Sequence, residues 1–250
     1  MVISTVWREE NYLGETLDSL SADDPFSVDN PVCLVAGSPI TTHLDRYRSL
    51  PGMSVIEMGP STWSWIKNSH ILKRSAWNCY RCLTQPVAGT RGTLALEDDI
   101  RFARGWRARF SVTLAELERR YGTDFVLAIY SPWLLATEEH DHGKLFVEYS
   151  PGRYFGMQGI YYTPKTRQGF AKYLKLHGLV ALDKLHDLLL GIILSKRACR
   201  CSRHPLALSS TSGRKVRWII RGTTHIYLLR MSQRCRLNIL DEESVRVPRA

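Results

Sequence analysis

What the chain lacks narrows its possible roles first. None of its 250 residues fall in a run near the ~18–20 apolar positions of a bilayer span, and Leu188–Leu194 is too short to cross. The opening MVISTVWREEN lacks the basic-then-apolar order of a secretory signal. The chain therefore reads as soluble and unexported, with a cytoplasmic location expected. Six cysteines without such a signal do not make a disulfide framework. The clusters Cys79-x-x-Cys82 and Cys199-x-Cys201-x-x-His204 lack the second, correctly spaced knuckle of structural zinc and read as reduced thiols. His140 and His142, flanking Asp141, read as a solvated loop. No internal repeat is present, and 44% hydrophobic with 23% charged residues excludes wholesale disorder.

Charge is not lacking, but it is unevenly placed. The net charge is +10, and residues 195–250 hold 13 Lys/Arg against 3 Asp/Glu. The preceding 194 residues are balanced, with 21 of each sign. A nucleic-acid-binding fold spreads its surplus along the reading surface, so no nucleic acid is expected as partner. A neutral body with a basic end implies an anionic partner met at that end.

The apolar pattern predicts an α/β chain. Short strands are expected at Val2–Val6, Val32–Ala36, Ser54–Met58, Thr93–Leu96 and Phe125–Tyr130, with another in Glu148–Thr163 after a glycine turn. Helices are expected at Tyr12–Leu20, where Leu13, Leu17 and Leu20 recur at helical spacing, and at Leu72–Leu83, Trp106–Tyr121, Thr166–His177 and Leu182–Leu194. From Ser195 the chain reads as basic and loop-like. Strands separated by helices imply one mostly parallel sheet flanked by helices. The expected division is a domain over 1–215 and a basic extension over 216–250.

The chemistry-bearing feature is Glu97-Asp98-Asp99, directly after an apolar strand. Ligands of open α/β sheets bind beyond the carboxyl ends of the strands. Adjacent carboxylates repel unless a cation or hydrogen-bond donors relieve them, and hard oxygens of this kind suit Mg²⁺ or Mn²⁺ shared with phosphates. A solvated acidic turn is the competing reading of the triplet alone.

The segment Thr5-Val6-x-Arg8-Glu9, the following helix Tyr12-Leu13-x-Glu15-Thr16-Leu17-x-Ser19-Leu20 and the stretch Leu96-Glu97-Asp98-Asp99-Ile100 together resemble GT-A glycosyltransferases. More narrowly they resemble the N-acetylglucosaminyltransferase IV family and its relatives. Trp77-Asn78, Phe155-Gly156-Met157-Gln158-Gly159, His186-Asp187-Leu188-Leu189-Leu190 and Ser209-Ser210 before Arg214-Lys215 extend the match over residues 2–215. The family's Gln-His-Val/Ile-Gly stretch before the serines is missing, and His204 is out of register with it. The family's long C-terminal extension is replaced by the short basic tail.

The resemblance implies metal-dependent, inverting transfer of a sugar from a nucleotide-sugar, with UDP-N-acetylglucosamine favoured, to a glycan or glycolipid acceptor. It implies Asp99 as metal ligand, with Glu97 and Asp98 orienting ribose and waters. Thr5, Arg8, Glu9 and Asn78 would frame the nucleotide. Asp187 would be the general base, with Asp183 as its substitute, and a helix cap is the competing reading of Asp187. Trp63, Trp65 and Trp133 would stack on sugar rings or anchor loops. The rival readings are a non-catalytic nucleotide-sugar or anion-binding module and a nucleic-acid-binding protein using the basic tail. Basic and apolar residues alternating over Arg217–Leu240 predict peripheral contact with anionic membrane, against the equal alternative of a strand and helix packed on the domain with arginines facing water.

Overall fold

The computed structural model describes residues 1–85, 92–123, 125–129, 147–149, 158–175 and 217–220, with backbone only for 147–149 and 217–220. The chain is α/β, as expected. In order it forms β1 (Val2–Thr5), α1 (Tyr12–Ser21), β2 (Val32–Ala36), a 3-10 helix (Thr42–Tyr47), β3 (Met53–Ile56), α2 (Pro60–Ile66) and α3 (Ile71–Thr84). It continues with β4 (Thr93–Glu97), α4 (Trp106–Tyr121), β5 (Phe125–Ala128), β6 (Val147–Tyr149), β7 (Gly159–Tyr162), α5 (Pro164–Tyr173) and β8 (Arg217–Ile220).

The sheet order is β3-β2-β1-β4-β7-β5-β8-β6. Pairing is parallel from β3 through β4 and between β5 and β8; β7 runs antiparallel between β4 and β5, and β6 antiparallel to β8. Six strands thus share one direction, which is the mostly parallel sheet expected.

Alternation along each strand builds two cores. Ile3, Leu34, Leu96, Leu127 and Tyr161 pack with Leu13, Leu17 and Leu20 of α1 and Leu117 of α4. On the opposite face, Val126, Ala128, Ile160 and Tyr162 pack with Ala76 and Leu83 of α3 and Phe170 of α5, while Val2, Cys33 and Val35 pack with Cys82. A sheet covered on both faces explains strands that read as nearly continuous apolar runs. Cys82 lies within that layer, and burial pushes its thiol up to about 12. It is inert at neutral pH.

Four elements depart from expectation. α2, the 3-10 helix and β6 were not predicted. The stretch expected to be loop-like beyond Ser195 contains β8, which pairs with β5 on one side and β6 on the other. Arg217, Trp218, Ile219 and Ile220 are therefore strand residues inside the sheet, in line with the expected alternative of a strand packed on the domain and not with a loop-like stretch. The expected helix Leu182–Leu194 lies outside the described residues. Among those described, no helix is long and apolar enough to cross a membrane.

Candidate active site at the carboxyl ends of β1 and β4

From β1 the chain winds outward through β2 to β3, then returns past β1 to β4. Strand order therefore reverses between β1 and β4, the kind of point at which open α/β sheets bind ligands in a crevice beyond the carboxyl ends of the strands. Ser4 stands opposite Glu97 in the parallel register, so Thr5 and Asp98 leave the ladder side by side.

Asp98 turns inward. Its Oδ2 accepts from Thr5 Oγ1 at 2.7 Å and from the Val6 backbone N–H at 3.2 Å. Its Oδ1 lies 3.1 Å from Arg8 Nη2. The Asp98 carbonyl accepts from Thr16 Oγ1 at 2.9 Å, and the same hydroxyl accepts from Ile100 N at 3.0 Å. One turn on, Ser19 Oγ accepts from Phe102 N at 3.0 Å. A helix that would otherwise bury only leucines thus grips the acidic turn through two hydroxyls. Burial pushes the Asp98 carboxyl up from its ordinary 3.8, the Arg8 guanidinium and the donors from Thr5 and Val6 oppose that, and Asp99 adds to it.

Asp98, 3% exposed, has both oxygens engaged within the protein and anchors the turn. Thr5 is equally buried and spends its hydroxyl on Asp98. Thr16→Val keeps the shape but strips the bridging hydroxyl, leaving a buried carbonyl and N–H unpaired. It should cost about 1–3 kcal/mol in chemical denaturation. A loss below about 0.5 kcal/mol, the ordinary surface range, would show the turn to be held otherwise.

Asp99 turns outward instead. Its side chain is 39% exposed, and Oδ2 stands 3.6 Å from Arg8 Nη1, longer than a hydrogen bond. Arg8 thus bridges a buried and a solvated carboxylate, with its guanidinium carbon 5.4 Å from the Tyr12 ring centroid. Among the described residues no three His, Cys, Asp or Glu side chains converge as a metal cage. One accessible hard carboxylate, with Glu97 ending β4 two residues before it, does fit a Mg²⁺ or Mn²⁺ ion that takes its remaining ligands from phosphates and water.

The other side of the crevice lies on the α3 face. Asn78 donates to Ser4 Oγ, and its Oδ1 is buried without a hydrogen-bond partner. Gly37, just past β2, donates to the Thr5 carbonyl at 2.7 Å. A Cβ there would come within 2.7 Å of the Val6 side chain and 3.0 Å of Asn78 Nδ2, so only glycine lets the strand ends close up. Glu97 N donates to the Gln158 carbonyl at 2.9 Å, which sets Gln158 at the end of β4 with its own Oε1 buried and unpartnered.

The fold therefore brings together Thr5, Arg8, Asp98 and Asp99, and places Asn78 and Glu97 on the facing side. Glu9 is exposed beyond β1 and is tied to none of them. Asp187, Asp183, His204, Trp133, Ser209, Ser210, Arg214 and Lys215 lie outside the described residues. Trp63 and Trp65 sit on α2, which follows the carboxyl end of β3.

Sequence reasoning did not single out Arg81. It is buried in α3, and its guanidinium donates to the carbonyls of Ala36, Ile56 and Glu57, the last at 2.6 Å. It thereby ties together the ends of β2 and β3. An arginine among the apolar positions of a helix was the available signal.

No protein-family model and no curated protein matches the sequence. Among solved structures, the chain is similar to S. aureus TarS 1-349, at 12% identity and a TM-score of 0.48, over 82% of this chain and 66% of that one. It is similar to the same fragment in complex with UDP-GlcNAc at 14% identity and a TM-score of 0.46, over 77% and 52% of the two chains. The galactosyltransferase LgtC, in complex with donor and acceptor sugar analogs, aligns at 13% identity and a TM-score of 0.40, over 87% and 85%. The chain spans less than two thirds of the length of the TarS chains it is aligned with.

Proposed function

We propose that this chain is a glycosyltransferase that binds a nucleotide-sugar in the crevice beyond β1 and β4. The observation that carries the reading is the split within the acidic triplet. Asp98 is buried and held by Thr5, Val6 and Arg8, while Asp99 is presented to solvent at the point where strand order reverses. A merely solvated acidic turn has no need of a buried carboxylate with both oxygens engaged.

Asp99 is the residue to hold a Mn²⁺ or Mg²⁺ ion, with Glu97 beside it. Such an ion, when bound, offsets the charge of a diphosphate and so makes it a better leaving group. Arg8 has N–H groups left over after Asp98 and is placed to meet the same anionic group. Asn78 presents a buried acceptor to an N–H of the base, and Glu9 at the rim would accept from a ribose hydroxyl. Asp187 is proposed as the base that takes the proton from the acceptor hydroxyl. UDP-N-acetylglucosamine is the favoured donor, and a glycan or glycolipid the acceptor.

The test is a thermal-shift panel of UDP-, GDP-, ADP- and CMP-linked sugars, with and without Mn²⁺. Ligand at ~100-fold over Kd stabilises by about 2.7 kcal/mol, so the preferred base should stand apart. A Mn²⁺-dependent rise with UDP-sugars is the expected result, and no shift with any member overturns the proposal. Release of labelled sugar from the preferred donor then separates an enzyme from a binding module.

A further inference from the structure

Arg8 meets both halves of the acidic turn, and it meets them unequally. Its Nη2 lies 3.1 Å from Asp98 Oδ1, a close pair with a carboxylate that is almost wholly buried. Its Nη1 lies 3.6 Å from Asp99 Oδ2, a loose pair with a carboxylate that reaches solvent. The two contacts use different nitrogens, and a guanidinium carries five N–H donors in a rigid fork. The Asp98 contact can therefore persist while the other nitrogen changes partner. The Tyr12 ring, with its centroid 5.4 Å from the guanidinium carbon, backs the same group. Arg101, the next cation along the chain after the turn, is taken by Glu15 of α1. The positive charge beside Asp99 is thus that of Arg8.

We propose that Arg8 is an exchangeable counter-ion: it covers Asp99 until a nucleoside diphosphate draws its Nη1 away, which opens Asp99 to the divalent ion. The inference rests on the nucleotide-binding reading of the crevice and adds the order in which its charges are met. A divalent ion and a guanidinium compete for one exposed carboxylate, and each repels the other. A diphosphate removes the conflict, because its oxygens supply a new acceptor for Arg8 and further ligands for the ion. Ion and nucleotide then bind together more tightly than either does alone, and by linkage each raises the affinity of the other by the same factor. The looseness of the Arg8–Asp99 pair suits this role, since exposed ion pairs are weak. The close pair with Asp98 keeps the guanidinium at the turn while the exchange occurs.

Calorimetric titration of UDP in the presence of EDTA tests it on the full chain as wild type, Asp99→Ala, Arg8→Gln and the double variant. Asp99→Ala should bind metal-free UDP more tightly than wild type, because Arg8 is no longer held back. Part of any gain comes from removing a negative charge near the diphosphate, and that part is common to both backgrounds. The gain should therefore be about five-fold larger with Arg8 present than in the Arg8→Gln background, the upper range for an exposed ion pair. Arg8→Lys keeps a cation for Asp98 and cannot span two carboxylates, so it replaces Arg8→Gln should melting show the neutral variant to be unfolded. Mn²⁺ alone, followed by electron paramagnetic resonance, reads the exchange from the other side: Arg8→Gln should take the ion about five-fold more tightly than wild type. Equal gains in the two backgrounds, or no gain from Asp99→Ala, would overturn the inference. If wild type still binds UDP with Mn²⁺ in that case, the nucleotide site stands and the exchange alone is removed. Failure of wild type to bind UDP even with Mn²⁺ would remove both.

Discussion

Asp187→Asn should slow sugar transfer by about 10²–10⁴-fold, the range for a lost general base, while leaving binding of the nucleotide and metal nearly intact. Asparagine keeps the size of the side chain and much of any helix-capping ability, so a loss of stability would not explain the effect. The contrast with the acidic turn is what makes the result informative. Asp99 and Arg8 stand where the leaving group would be held, and the base must act on the other reactant. A variant that binds donor normally and fails to turn over separates the two tasks. Turnover near wild type would move the base to Asp183 or elsewhere.

Arg8→Met should destabilise the protein by about 2–4 kcal/mol at pH 8, and the deficit should shrink as pH falls. The magnitude follows from stripping a buried carboxylate of its cation, reduced because the Arg8 side chain is itself 32% exposed. The sign follows from Asp98. Burial already holds its carboxyl above the ordinary 3.8, and losing Arg8 removes the largest effect opposing that rise. A carboxyl with a raised folded pKa lets the native state bind more protons than the unfolded one. Its contribution to stability is therefore full below the unfolded value and declines as pH rises through the folded value. Denaturant titrations of both proteins from pH 8 down to pH 5 read this directly. A deficit that does not change with pH would mean that Asp98 is not the charge Arg8 neutralises.

Much of the frame was legible because burial on both faces writes itself into sequence. Leu13, Leu17 and Leu20 give α1 to within one residue, and Trp106–Tyr121 is found at its predicted bounds. The apolar runs at Val32–Ala36 and Phe125–Ala128 are strands in the sheet. Period alone says which residues share a face and nothing about the neighbouring strand, so the antiparallel insertion of β7 between β4 and β5 could not be read. α2 escaped because its seven residues, PSTWSWI, are too few to establish a helical period. β8 was left between two readings, a strand packed on the domain and a loop-like basic stretch, because its four residues are set among basic charge.

The candidate site was legible by type and not by role. Three consecutive carboxylates look alike in a sequence. They are distinguished by where β4 ends: Glu97 completes the strand, Asp98 turns under toward Thr5, and Asp99 emerges toward solvent. The same local fact makes the Thr5 hydroxyl a support of the turn. Thr16 was visible in the sequence as a hydroxyl on an apolar stripe, but its partner, the Asp98 carbonyl, comes from 82 residues away. Long-range hydrogen bonds of that kind carry no periodic signature.

The central claim is that Asp99 is the exposed carboxylate through which a nucleoside diphosphate and a divalent ion are held together. Calorimetric titration of UDP into wild type and Asp99→Ala, each with and without Mn²⁺, tests it most directly. The account predicts Mn²⁺-dependent binding by the wild type and none by the variant, with the melting temperature little changed because Asp98 keeps the turn in place. Undiminished Mn²⁺-dependent binding by Asp99→Ala would contradict it.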